Sequence, residues 1–207
     1  MTLVLASTSP RRYHLLSLLN LPFLMVSPDG PEVVAEDRAP AEEARFQARR
    51  KAASVAAQFP EAVLIGSDTL VSLDGAKIGK PRSVDDARDI LRRLRGRSHE
   101  VVTAVVLVRD ARVVETIETA RVTMRAFTHT ELEQYLATDD SLDKAGAYSV
   151  QGLGRSLIVG VTGEYLAVVG LPLRTVADGL RQFGVEAPVD LDRLYRERNV
   201  LNWRTFA

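Results

Sequence analysis

Leu3-Val4-Leu5-Ala6-Ser7-Thr8-Ser9-Pro10-Arg11-Arg12 is the stretch on which the fold turns. Its first four residues are a short apolar run, read as a strand. Ser7 to Pro10 form a turn, and a helix follows: Ser9 suits the N-cap, and Pro10 suits N1, where a missing N–H costs nothing. Leu15, Leu16, Leu18 and Leu19 recur at helical spacing behind it. The corner also has a chemistry. Free backbone amides and the helix dipole favour an anion there. Three hydroxyls and two guanidiniums add donors, and arginine binds phosphate bidentately. An ordinary N-cap followed by surface arginines is the other reading of the same residues.

Working outward, strands and helices alternate, which predicts an α/β fold. Phe23 to Val26 reads as a strand, and 28–31 as a loop. Pro40 to Phe59 reads as a long helix with Ala41, Ala44, Ala48, Ala52, Val55 and Ala56 on one face. Ala62 to Ile65 is a strand, continued by Gly66-Ser67-Asp68-Thr69 into Leu70-Val71. Asp74-Gly75 signals a hairpin turn. Ser83 caps a helix over Val84–Leu94. Glu100–Val108 and Arg112–Arg125 read as two long strands. Thr128 and Glu131 form a capping box ahead of a helix ending at Ala137. Asp143–Gly154 is glycine-rich and irregular. Ser156–Val161 and Leu166–Val169 are apolar, and Leu173–Phe183 is the last helix expected. The tail from Val185 has no clear partner in this scheme.

The bulk composition sets limits. The chain has 207 residues, 46% hydrophobic and 26% charged, with 27 Lys+Arg against 27 Asp+Glu. That is enough apolar material for a core, with no net charge to oppose collapse. Zero net charge argues against a protein dedicated to nucleic-acid polymers, which show a basic excess. Cysteine is absent, which excludes disulfides, thiolate metal sites and a thiol nucleophile. No apolar run approaches the roughly 20 residues of a membrane span. Nor does the start have the basic region of a signal peptide. A cytoplasmic protein is the expectation.

Several further stretches carry candidate chemistry. Asp68 ends an apolar strand, and a buried carboxylate needs a partner. A cation, a metal or a general-base role would satisfy it; so would a turn in which it bonds its own backbone. Lys80 is held between Gly79 and Pro81, or is simply a solvated surface lysine. His99 is either a general base or a structural histidine. The glycines of 143–152 suggest close backbone approach to a ligand, and the Gln151 amide can read a base edge; a loop joining two sheets would also need them. No Walker-type phosphate loop, dinucleotide fingerprint or nucleophile elbow is present. His14, His99 and His129 are too few for a histidine zinc cage, whereas oxygen ligation of a hard cation stays open.

Six segments in order, LASTSPRR at 5–12, GSDTLV at 66–71, GKP at 79–81, GRSHEVVT at 96–103, DKAGAYSVQG at 143–152 and VVGLP at 168–172, resemble the Maf family of nucleoside triphosphate pyrophosphatases. The resemblance covers roughly residues 3 to 183. It implies an elongated mixed β-sheet with flanking helices and two lobes around a central cleft, a Maf/Ham1-like α/β architecture. Residues 1–184 then form one two-lobed domain and 185–207 a tail of unassigned role. It implies hydrolysis of a nucleoside triphosphate to monophosphate and diphosphate with a divalent cation, Mg²⁺ or Mn²⁺. Many members are dimers, so a homodimer is compatible. The family's proton acceptor falls on Asp68. Its residues for dTTP and UTP preference fall on Arg12, Thr69 and Gln151, which places the chain with that branch rather than the 7-methyl-GTP branch. Ser7, Ser9, Arg11, Lys51 and Lys80 match its phosphate-binding positions, and Glu32 with Asp68 its metal-binding carboxylates. Two departures stand out. Only Glu32 is retained of an acidic stretch that usually ends in Asp-Glu. The usual G-S-Y-x-N-V pattern is Gly163-Glu164-Tyr165-Leu166-Ala167-Val168 here. The competing classes are a nucleotide-binding regulator of cell division without catalysis, and a nucleotidyl or phosphoryl transferase.

Overall fold

A computed structural model of the chain describes residues 1–30, 35, 37–138, 140–199 and 203. Its centre is a mixed sheet ordered β2-β1-β3-β5-β6-β7, with β4 paired to β3 off that path. The strands are β1 Leu3–Ala6, β2 Leu24–Val26, β3 Val63–Leu73, β4 Ala76–Ile78, β5 Ser98–Arg109, β6 Arg112–Met124 and β7 Ile158–Thr162. β1 runs parallel to both β2 and β3, and the remaining pairs are antiparallel.

Local chemistry explains most elements. Helix α1 (Pro10–Ser17) starts as expected, with the Ser9 hydroxyl accepting from the Arg12 amide. Asp74 and Gly75 both take positive φ, the backbone of a two-residue hairpin between β3 and β4. Ser83 caps α3 (Val84–Leu94), and the Thr128/Glu131 capping box opens α4 (His129–Leu136). Helix α2 spans Pro40–Ser54 and stops short of Phe59. Beyond Ser54 the amides reach back only three residues, as from Gln58 to the Val55 carbonyl, and Pro60 disfavours helical backbone at Phe59.

Alternation along the strands builds two layers. Leu3, Leu5, Val63, Ile65, Val101, Val105 and Leu107 face the main core beneath α1, α3 and α4. Val4, Ala6, Leu64, Val102, Ala104 and Val106 face Ala44, Ala48 and Ala52 of α2 on the other side. Residues 165–197 add three helices, α5 Tyr165–Val169, α6 Leu173–Arg181 and α7 Leu191–Glu197.

The tail, without a partner in the sequence reading, packs on the body. Helix α7 follows the last helix expected, and Leu191 and Trp203 are buried in the main core. Trp203 stacks on Tyr165 at 5.5 Å between centroids and meets Tyr195 edge-on at 4.9 Å. A seven-residue helix has little stability alone and forms because tertiary contacts hold it. Trp203→Ala is therefore expected to cost about 3 kcal/mol. At this chain length that is a fall of roughly 6–12 °C in thermal midpoint, read by differential scanning calorimetry. An unchanged midpoint would show the tail to be dispensable.

Candidate active site

The site is built around a gap in the ladder of β3. On one edge β3 pairs with β5 along most of its length, from Leu64 to Ser72. On the other, β1 pairs only with Val63–Gly66, and β4 only with Val71–Leu73. Among the described residues, Ser67 to Leu70 therefore have no strand partner on that edge. The notch opens at the end of β1, where a ligand commonly settles in an open α/β sheet.

Alternation gives the residues of the notch different neighbours. Asp68 turns toward α2, where its carboxylate accepts from Lys51 Nζ at 2.6 Å. Both residues are 6% exposed. The ammonium supplies the counter-charge that a buried carboxylate needs. Asp68 thus lies inside a continuous strand rather than at its end, and the reading as a turn aspartate is set aside. The pair meets because α2 lies very close to β3 at Gly66, where a Cβ would sit 2.1 Å from the Ala48 carbonyl oxygen. Two further polar residues of α2 extend the row: Gln47 Nε2 donates to Glu43 Oε1 at 2.6 Å, and Arg38 pairs with Glu43 at 3.2 Å.

Thr69 turns the other way. Its hydroxyl accepts from Arg12 Nη2 at 3.1 Å, and Arg12 Nε donates to the Gly170 carbonyl at 2.9 Å. Ser67 Oγ donates to that same carbonyl at 3.0 Å. The Ser7–Arg12 corner is in this way tied to β3 one residue away from Asp68. Its amides are less free than the sequence suggests, because Ser9 N–H goes to Ser7 Oγ and Arg12 N–H to Ser9 Oγ. The corner's capacity for anions therefore rests more on its hydroxyls and guanidiniums, since three of its amides are already engaged.

Opposite stand Gly79, Lys80 and the segment from Asp143 to Gln151. The Gly146 amide joins the two by donating to the Gly79 carbonyl. Lys144 is ion-paired with Asp143 and, at 3.0 Å, with Asp140. The Asp143 carboxyl lies below its ordinary range; its partial burial opposes this, while Lys144 and the nearby Arg11 favour the charge. Gln151 Nε2 is buried with no hydrogen-bond partner among the described residues. A buried unpaired donor is costly unless a ligand accepts from it. His99 takes its structural reading. It is buried, bonds Tyr148 at 2.6 Å and has its pKa pushed down to about 4 by desolvation.

These walls enclose one cleft of about 540 Å³. Ser7, Ser9, Arg11, Arg12, Lys51, Asp68, Thr69, Lys80 and Gln151 all line it, so the structure brings together every position matched to the family's site but one, while His99 does not line it. Glu32 lies outside the described residues. Lys144 also lines the cleft, and with Arg11, Arg12, Lys51 and Lys80 it outweighs the carboxylates of Asp68 and Asp143. A chain of zero net charge has concentrated cations in one hollow, which suits a polyanion. Ser67, Thr103, Gln47, Gly170 and Lys144 were not singled out from sequence. The glycine between Val169 and Leu171 was the visible signal for Gly170, whose φ of 123° excludes most side chains.

A family profile described as Maf-like protein matches residues 2–183. The chain belongs to the Maf family. A relative from Moorella thermoacetica, the dTTP/UTP pyrophosphatase, is 45% identical over 186 residues, covering 89% of this chain and 96% of its own. The Bacillus velezensis protein of the same name is 39% identical over 185 residues, covering 89% and 98%. Among solved structures, the Ham1 protein of Staphylococcus aureus aligns over 62% of this chain and 74% of its own, at 15% identity and a TM-score of 0.46.

In this Maf chain, Glu164 has a local role. It caps α5 by accepting from the Leu166 amide at 2.8 Å, and burial raises its carboxyl pKa. The oxygen donors of the Maf cleft, the Asp68 and Asp143 carboxylates and the hydroxyls of Ser7 and Ser9, are hard ligands. Among the described residues no group of three or more His, Asp or Glu could hold a metal ion by itself, and Asp68 and Asp143 are ion-paired with Lys51 and Lys144; a hard cation here would take one or two such carboxylates together with substrate phosphates. Among the described residues, no helix is long and apolar enough to cross a membrane.

Proposed function

We propose that this chain is a nucleoside triphosphate pyrophosphatase acting on dTTP and UTP, releasing the monophosphate and diphosphate. The observation that carries the reading is the cation-rich cleft in which the Ser7–Arg12 corner and Asp68 share one wall. The names of the Moorella and Bacillus relatives point the same way. A free pool of cytoplasmic nucleotides is the setting that belongs to it.

In this mechanism the triphosphate lies against Ser7, Ser9 and Arg11, with Lys51 beside Asp68 and Lys80 on the other flank. Their charges offset those of the phosphates and hold the α-phosphorus in place. Asp68 accepts a proton from water as that water's oxygen bonds to the α-phosphorus. The bond from the α-phosphorus to the bridging oxygen breaks, and diphosphate leaves with the electron pair. Glu32 and Asp68 would hold a divalent ion, which when bound supplies charge neutralisation at the phosphates. Arg12, Thr69 and Gln151 read the base. The unpaired Gln151 amide supports this, since a pyrimidine carbonyl would satisfy it.

Incubation with a panel of nucleoside triphosphates and Mg²⁺ or Mn²⁺, resolved by phosphorus NMR, tests the reading. Diphosphate is the expected product, with dTTP and UTP used best and 7-methyl-GTP poorly. Orthophosphate as the product, or binding without turnover, would overturn it.

A further inference from the structure

Thr103 lies directly across from Thr69 in the β3–β5 pairing and is fully buried. Its hydroxyl sits 2.8 Å from that of Thr69 and 2.7 Å from the Ala167 carbonyl oxygen. A hydroxyl carries one proton, and a carbonyl can only accept. Thr103 therefore donates to Ala167, which obliges it to accept from Thr69. Thr69 in turn gives its proton inward to Thr103 and accepts from Arg12 Nη2. The bonds run in one direction, from Arg12 through Thr69 and Thr103 to the α5 backbone. The consequence at the cleft is one of polarity. Thr69 has no proton left for a ligand, and offers only a lone pair.

We infer that Thr103 is a positioning residue for base selection: it fixes Thr69 as an acceptor, tuned to the N3–H of uracil and thymine. The inference rests on the dTTP/UTP reading and deepens it. A uracil or thymine edge runs acceptor, donor, acceptor across O4, N3–H and O2. Cytosine has the opposite polarity at the first two positions, with an amino donor and a bare N3. An acceptor-only Thr69, with the Gln151 Nε2 donor lining the same cleft, suits the first edge and meets the N3 of the second lone pair to lone pair. Two residues in the core-facing ladder thereby do what steric exclusion cannot, because cytosine and uracil have nearly the same shape. Arg12 is held by the same chain of bonds and by Gly170, so the group that touches the ligand is oriented before the ligand arrives.

The test compares kcat/KM for UTP, dTTP and CTP in wild type, Thr103→Val and Thr103→Ser, with thermal midpoints alongside. Calorimetric affinities for the non-hydrolysable α,β-methylene analogues of UTP and CTP give the same ratio without turnover. The wild type is expected to favour UTP over CTP by about 100-fold or more. Thr103→Val keeps the shape but removes the acceptor, so the Thr69 proton is released to point into the cleft. The UTP-to-CTP ratio is then expected to fall by about 10-fold or more, and Thr103→Ser to restore most of it. A merely structural role would lower all substrates by one common factor, and that result would overturn the inference. So would a wild type that favours UTP while Thr103→Val keeps the same ratio, or a wild type active on UTP and CTP alike, whatever the fate of the variant. A wild type that neither hydrolyses nor binds these nucleotides would overturn the functional reading and this inference together.

Discussion

Asp68→Asn is expected to lower kcat by about 10²–10⁴-fold while leaving nucleotide affinity within a few-fold of wild type. The substitution keeps size and a hydrogen-bond acceptor for Lys51 but removes the basic oxygen that takes the proton from water. Turnover falls because an amide cannot accept that proton at neutral pH. Binding persists because Ser7, Ser9, Arg11 and Lys80 are untouched and still line the cleft. Buried charge complicates the comparison, since Lys51 at 6% exposure loses its counter-ion. Breaking a buried pair can cost about 3–5 kcal/mol, so the thermal midpoint is measured with saturating nucleotide present. Single-turnover kinetics and equilibrium binding of a non-hydrolysable analogue separate the two effects. Equal loss of binding and rate would make Asp68 a binding ligand and leave the proton acceptor to be found elsewhere.

Gly66→Ala is expected to be the most destabilising single methyl this chain can receive near the site. The new carbon would meet the Ala48 carbonyl oxygen at 2.1 Å and the Ala52 amide nitrogen at 3.0 Å, both backbone atoms of α2. Backbone in a packed helix cannot step aside as a flexible side chain can. Overpacking of this kind costs about 3 kcal/mol or more. If the protein survives, the helix must move away from β3 and carry Lys51 from Asp68, so activity is expected to fall together with stability. Denaturant midpoints and kcat/KM on UTP read both. Gly160→Ala in β7 is the control, because its Cβ would meet nothing within 4 Å, and its change in stability should stay within about 0.5 kcal/mol. A Gly66→Ala variant as stable as that control would mean that the close α2–β3 approach is not required.

Much of this architecture was legible residue by residue. The caps at Ser9, Ser83 and Thr128, and the Asp74-Gly75 hairpin, depend on hydrogen bonds between neighbours in the chain, and each formed where its residues stand. The strand was readable as one run from Ala62 to Val71 despite its polar middle, and it runs from Val63 to Leu73. The site was legible as segments: nine of the candidate residues meet in one cleft. What the segments did not show was their use. Asp68 kept a turn reading open beside its catalytic one, because nothing in the local sequence says that Lys51, on another element, will face it. Thr103 looked like any β-branched strand residue until its pairing with Thr69 was known. The tail looked unattached because the partner of Trp203 is Tyr165, far away in sequence.

By itself, the order of residues determined where the chain turns, which positions alternate between two layers, and that a hydroxyl- and arginine-rich corner opens a helix. Those are properties of backbone preference and short-range bonding, and they need no partner from elsewhere. Only tertiary structure decided that β1 and β4 leave Ser67–Leu70 unpaired on one edge, and that Gly66 lets α2 close against the strand. It likewise decided that the hydroxyl protons of Thr69 and Thr103 run inward to Ala167. Register, close approach and proton direction are relations between distant segments, set by how layers pack, and no local pattern encodes them.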